Sequence, residues 1–181
     1  MICAWDALLG ILPLWLREDV DKLGKDRLQE LRMRINSPPE LLLDFQSIFL
    51  KRAVCRDDIS FVVNGASRYS PWAAVSIAKG YLTAPGGHRI GVCGEVVCKE
   101  GEITGIREIS SLNIRVARDF PGIGKPVLSA KGSVLILGPP GWGKTTLLRD
   151  CSRQIGATET IAVVDERKEL FPEGFSRGKR M

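Results

Sequence analysis

Nine consecutive residues concentrate the chemistry of this chain: Gly138, Pro139, Pro140, Gly141, Trp142, Gly143, Lys144, Thr145 and Thr146. Within them Gly138, Gly143, Lys144 and Thr145 satisfy the spacing G-x-x-x-x-G-K-[ST]. A nucleoside triphosphate needs many N–H donors in a concave array. Glycines let the backbone close around it without Cβ clashes, and a helix starting at the end of the loop adds oriented peptide dipoles. In such a loop Lys144 is expected to reach the β- and γ-phosphates, and the Thr145 hydroxyl to ligate the Mg²⁺ that the nucleotide carries.

The flanking sequence agrees with that chemistry. Residues 133–137 are apolar after Ser133 and read as a buried parallel strand. Residues 147–153 read as the helix that follows. A second apolar run, residues 160–164, ends in Asp165 and Glu166, which invites comparison with the acidic strand end that holds Mg²⁺ in many ATPases. Only 21 positions separate Lys144 from Asp165, room for one helix and one loop. Asp165 and Glu166 are therefore expected near the γ-phosphate, orienting water or Mg²⁺, and not on the later strand that carries the usual acid.

The elements before residue 120 have a different character. Trp5, Leu8, Leu9, Leu12 and Leu16 recur at helical steps, with Pro13 set to kink or divide the helix. Leu31, Met33 and Ile35 alternate with Arg32 and Arg34 as in a strand with one buried face. Residues 36–39 hold two prolines and form a turn, so residues 41–43 return as the second strand of a hairpin. Asp57 or Asp58 suits the cap of a helix over residues 59–65, although Ile59, Val62 and Val63 also suit a strand. Ser70 and Pro71 mark another helix start, with Gly80 as its stop. From residue 81 to 118 the pattern is β, interrupted at Gly91 and Gly94, with a hairpin turn at Glu100-Gly101. Residues 120–125 contain Pro121, Gly122 and Gly124 and read as a linker.

Composition narrows the class. Hydrophobic residues make up 44% and charged residues 26% of 181 residues, which excludes a disordered chain and allows a real core. Residues 1–130 hold 17 basic and 15 acidic side chains and residues 131–181 hold 9 and 6, so no dense basic stripe marks a dedicated nucleic-acid binder. Five cysteines without a C-x-x-C pair, beside a single histidine, His88, fit free thiols in a reducing cytosol and argue against zinc. The longest apolar stretch, residues 7–16, is broken by Pro13. It falls short of a membrane span and lacks the basic leader of a signal peptide.

Further marks lie outside the loop: Glu30-Leu31-Arg32-Met33-Arg34, Gly80-Tyr81-Leu82-Thr83, Gly86-Gly87-His88-Arg89-Ile90-Gly91, Ile109-Ser110-Ser111-Leu112-Asn113-Ile114-Arg115, Thr145-Thr146-Leu147-Leu148-Arg149-Asp150 and Val164-Asp165-Glu166-Arg167. With these the chain resembles the stage III sporulation protein AA family, ATPases of endospore-forming bacteria related to type II and type IV secretion ATPases. The resemblance spans about residues 28–170. It implies an α+β N-terminal domain (1–119), a linker (120–130) and an incomplete α/β RecA-like P-loop NTPase domain (131–181). It also implies ATP with Mg²⁺ as ligand and a homo-oligomer, a hexameric ring in the intact family. The implied role is to energise a sporulation channel between mother cell and forespore, alongside membrane proteins of that channel. The implied location is the mother-cell cytoplasm, peripheral to the forespore-facing membrane. In such ATPases strand-borne arginines of the N-terminal domain approach the nucleotide; Arg89 and Arg115 match that position, with Arg107 behind them.

The family continues well past the Asp-Glu-Arg segment, whereas residues 171–181 show no strand or helix pattern and read as a frameshift, an early stop or an arbitrary cut would leave them. A parallel nucleotide-binding sheet needs several more βα units. The expectation is therefore a chain that keeps the phosphate cradle and hydrolyses ATP weakly or not at all by itself. The competing readings are an inert adaptor that docks through its N-terminal domain and a nucleic-acid-dependent P-loop ATPase.

Overall fold

The computed structural model describes residues 1–44, 46–68, 73–139, 141–165 and 170–171. The chain divides into two compact units, one of Ala4–Ala117 and one of Met1–Cys3 with Arg118–Met181.

The Ala4–Ala117 unit is a mixed α/β fold on an antiparallel sheet. Pro13 cannot donate to a helical ladder, so the first apolar segment breaks there into α1 (Trp5–Gly10) and α2 (Leu14–Leu23). The Trp5 indole N–H donates to Asp21 Oδ1 at 2.8 Å and holds the two helices together. The expected hairpin forms from β1 (Glu30–Arg34) and β2 (Glu40–Leu42), followed by β3 (Ser47–Phe49). The ambiguous segment after residue 55 is a helix, α3 (Arg56–Ser67). Helix wins over strand because Ile59, Val62 and Ala66 then share one buried face. Its cap is Cys55 and not Asp57 or Asp58. Asp58 instead sits at the third helical position, where its carboxylate accepts from the Cys55 N–H at 2.9 Å.

A short helix, α4 (Ala73–Ala78), ends at Gly80 as its glycine stop requires. The expected start at Ser70-Pro71 lies outside the described residues. β4 (Tyr81–Thr83), β5 (Arg89–Lys99) and β6 (Glu102–Arg115) complete a six-stranded sheet in the order β3-β2-β1-β6-β5-β4. β5 is one continuous strand; Gly91 pairs with Asn113 in the ladder, whereas Gly94 falls at a register shift between Cys93 and Glu95 and interrupts the pairing there. Glu100 and Gly101 both adopt positive φ, 54° and 84°, as a two-residue hairpin turn matched to strand twist requires.

Register explains the core. Leu31, Ile114, Ile90 and Leu82 lie side by side across β1, β6, β5 and β4, and all four are buried. Met33, Leu112 and Val92 form the next row. Leu8, Leu12, Leu16 and Val20 of α1, α2 and their junction join this cluster, as do Ile59 and Val62 of α3. One sheet face is thus apolar, and alternation sends Arg32, Arg34, Arg89 and Arg115 to the other. No helix among the described residues is long and apolar enough to cross a membrane.

The second unit is built differently. It contains α5 (Lys125–Leu128) and α6 (Lys144–Thr158). The strands expected over residues 133–137 and 160–164 are not formed: neither segment pairs with a neighbour, and Leu135 and Leu137 are each 80% exposed, Val164 88%. An apolar run becomes a strand only when another strand satisfies its N–H and C=O groups. Among the described residues no such partner exists beside them.

Candidate nucleotide-binding site

The glycine-rich loop delivers the chain into α6 through two left-handed turns. Gly141 has φ 80° and Gly143, the residue before the helix, φ 75° with ψ 14°. L-residues with a side chain adopt this conformation rarely, so the glycines are what permit the turn. No side chain caps the helix and no acidic residue occupies its first turn. The N–H groups of that turn are therefore aimed at whatever lies above it, with the helix dipole favouring an anion.

Lys144 opens the helix and folds back over the loop. Its Nζ donates to the carbonyls of Gly138 at 2.8 Å and Pro139 at 2.7 Å. An ammonium has three donors, so this anchoring leaves one for a phosphate oxygen. Thr145 and Thr146 are half-buried in the first turn. Trp142 stands 77% exposed on the loop, its N–H 3.4 Å from the Pro139 carbonyl. Pro140 lies outside the described residues. The donor set fits a Mg²⁺-nucleotide: an uncapped helix start, a lysine held over it and a threonine hydroxyl on the following residue. With the nucleotide bound, the loop N–H groups and Lys144 would hold its phosphates and Thr145 its metal.

The other expected site residues are placed as follows. Asp165 Oδ2 accepts the Leu170 N–H at 2.8 Å. Glu166 lies outside the described residues. Arg89 and Arg115 belong to the Ala4–Ala117 unit, where they are register partners on β5 and β6. Arg115 Nε lies 3.3 Å from Glu30 Oε2, and Arg32 Nε lies 2.6 Å from Glu30 Oε1. Arg107 pairs with Glu95 at 2.8 Å. Among the described residues no group of three His, Cys, Asp or Glu is arranged to hold a metal ion by itself.

Sequence reading missed the residues that set α6 in place. Its buried residues are Arg149, Asp150, Cys151, Ser152 and Gly156, of which Arg149, Asp150 and Ser152 are polar. Arg153 forks onto the buried carboxylate of Asp119, Nη1 at 2.5 Å and Nη2 at 3.2 Å. It also reaches Asp150 Oδ1 at 3.0 Å, while Arg149 Nη1 stands 3.7 Å from Asp119 and its Nε donates to the Leu170 carbonyl. Asp150 Oδ2 accepts from the Gly124 N–H at 2.7 Å. Burial alone would raise the Asp150 carboxyl, but the Gly124 and Gly122 N–H groups, Gln154 and Arg153 together hold it below the usual carboxylate range. Burial, and then the Asp150 charge, push the Cys151 thiol up, so it is a packing residue and not a nucleophile. Within residues 120–125, Gly124 lies against α6 in the same unit. A Cβ on Gly124 would come within 2.9 Å of the Cys151 backbone, so only glycine lets this segment lie against α6. The available signal was the run of charges at 149, 150 and 153, where an amphipathic helix would show apolar residues.

Comparison with known proteins places this geometry in a family. The model of the family described as "Sporulation stage III, protein AA" matches residues 7–174. Stage III sporulation protein AA of Bacillus subtilis (strain 168) is 39% identical over 175 residues, covering 88% of this chain and 57% of the relative. The uncharacterized protein ycf45 of Porphyra purpurea is 27% identical over 176 residues, covering 93% of this chain and 28% of its own length. This chain therefore spans little more than half of the Bacillus relative and less of the other. Among solved structures, the Legionella pneumophila ATPase DotB matches with a TM-score of 0.51 at 15% identity, over 81% of this chain and 43% of DotB. The pilus retraction motor PilT, solved with bound ADP, matches at 0.50 and 17%, over 88% of this chain and 45% of PilT. The structural likeness shows a shared fold; the family match and the Bacillus relative show more, and this chain belongs to the stage III sporulation protein AA family.

Proposed function

We propose that this chain binds ATP with Mg²⁺ through residues 138–146 and is the nucleotide-binding part of a sporulation ATPase. The observation that carries the reading is the loop itself: left-handed Gly141 and Gly143 lead into an uncapped α6, with Lys144 anchored over the entrance by two carbonyls. Family membership and the fold shared with DotB and PilT support an ATPase. The whole protein, of which this chain matches little more than half in the Bacillus relative, would use ATP to energise a channel between mother cell and forespore. It would act from the mother-cell cytoplasm as a homo-oligomeric ring against membrane proteins of that channel. Asp165 and Glu166 would orient water or Mg²⁺, and Arg89 and Arg115 would stabilise phosphate charge.

By itself the chain is expected to bind nucleotide and turn it over slowly. Phosphoryl transfer depends on several groups positioned together, and here the apolar segments flanking the loop lack a sheet to hold them. That observation also favours the second reading, an adaptor that holds ATP without using it. The test is MgATP binding and turnover by the full chain beside Lys144→Ala. Binding that disappears in K144A, with little turnover, is the expected result. Equal binding by both proteins, or none by either, overturns the nucleotide site.

A further inference from the structure

Two stretches of chain pass between the compact units, one from Cys3 to Ala4 and one from Ala117 to Arg118. Both are pinned on either side of the passage. In one unit Ile2 N–H donates to the Asp119 carbonyl at 2.7 Å, and Asp119 N–H donates to the Ile2 carbonyl at 2.8 Å. In the other, buried His88 joins the two chain ends: its Nδ1 accepts the Ala117 N–H at 3.1 Å, so the proton sits on Nε2 and is donated to the Ala4 carbonyl at 3.0 Å. Only Cys3 and Arg118 lie between these hydrogen-bonded residues in the chain.

The Asp119 side chain continues the connection. Arg153 forks onto it and Arg149 approaches it, both from α6. Together with Asp150 they make an internally neutral set of four charges, of which Asp119, Arg149 and Asp150 are buried and Arg153 partly so. Apolar residues in these positions would stabilise a helix at least as well. Forked charge pairs add direction: they set the angle and rotation of α6. Arg153 lies about 14 Å along the same helix from Lys144, by the rise per residue.

We propose that Asp119 is a positioning residue for the phosphate-binding helix, gripped by Arg153 so that nucleotide at the head of α6 and the Ile2–Asp119 bridge within the same unit are energetically coupled. The inference rests on the nucleotide-binding reading above and deepens it. A stiff helix held at Asp119 cannot settle against phosphates without loading the Asp119–Ile2 bridge.

The test is amide hydrogen exchange in the full chain, with and without saturating MgADP. Exchange at Ile2 and Asp119 should slow roughly tenfold on binding, within the range of ordinary coupling between sites. In Asp119→Asn, which keeps the shape and loses the charge, the slowing should collapse even where MgADP is saturating. Asp119→Glu should restore part of it, which a residue needed only for folding would not do. If D119N fails to melt cooperatively, Arg153→Lys, which keeps the charge and loses the fork, takes its place. MgADP binding without slowing, or undiminished slowing in D119N and R153K, overturns the coupling and leaves the nucleotide site standing. Failure of the unaltered chain to bind MgADP overturns both.

Discussion

In the Ala4–Ala117 unit, Leu31, Ile114, Ile90 and Leu82 stand side by side across four strands and all are buried. In the other unit the apolar residues Leu135, Leu137 and Val164 are exposed, and the buried residues of α6 are Arg149, Asp150, Cys151, Ser152 and Gly156. The first is assembled mainly by removing apolar surface from water, which is non-directional and tolerant of detail. The second is tied by hydrogen bonds and ion pairs, which specify angle and register and tolerate little. The proposed phosphate site would gain from that difference, because binding phosphate needs donors held in fixed directions.

Removing one charge from the buried set in α6 should produce the largest loss. Arg153→Ala removes the forked partner of Asp119, leaving it Arg149 at 3.7 Å, and takes the guanidinium from Asp150; it should cost about 3–5 kcal/mol. Urea unfolding followed by a probe within residues 118–158 measures it; a loss below about 1 kcal/mol would mean that the polar cluster does not hold this unit together.

Apolar truncation should separate the two units next. Ile114→Ala, in the centre of the sheet, should cost about 2–4 kcal/mol, whereas Leu135→Ser, at an exposed site, should stay within about 0.5 kcal/mol. Paired chemical denaturation of the two variants sharpens the comparison. Equal losses would show that residues 133–137 are buried in solution.

Acid should affect the Ala4–Ala117 unit through His88. Burial holds its imidazole below the ordinary value of 6.5, partly countered by the bond to the Ala4 carbonyl. The unfolded chain therefore takes up a proton first. Stability on this account is unchanged above about pH 7 and falls as pH drops below about 6.5, by at most about 1.4 kcal/mol per pH unit until the folded value is reached. Protonation would also turn Nδ1 from an acceptor into a donor facing the Ala117 N–H. Melting temperature against pH for the natural chain and His88→Asn checks this; an equal slope in both would remove His88 as the cause.

Much of the first unit was legible because local rules and tertiary packing agreed there. Pro13 divided α1 from α2, alternation marked β1, two prolines marked the turn to β2, and Glu100-Gly101 closed the long hairpin. The cap of α3, Cys55, lies two or three positions before the Asp57 or Asp58 that the sequence suggests, because a thiol is a weak acceptor and an aspartate the more obvious capping residue. The loop at 138–146 was legible because its constraint is local: glycines where φ is positive, then lysine and threonine opening a helix.

Apolarity misled at residues 133–137 and 160–164, since it signals that a segment needs partners and says nothing of whether they are within reach. His88 and Asp119 were invisible as structural residues for a related reason: their partners, Ala4 and Ala117 for one and Arg149 and Arg153 for the other, lie far away in sequence. What the sequence alone determined is the glycine-rich loop, the helix after it and the amphipathic elements before it, all set by dihedral preference and periodicity among near neighbours. Only the tertiary structure decided which apolar segments found a sheet, which charges were buried together and how the chain passages were pinned, because those depend on distant groups meeting with water excluded between them.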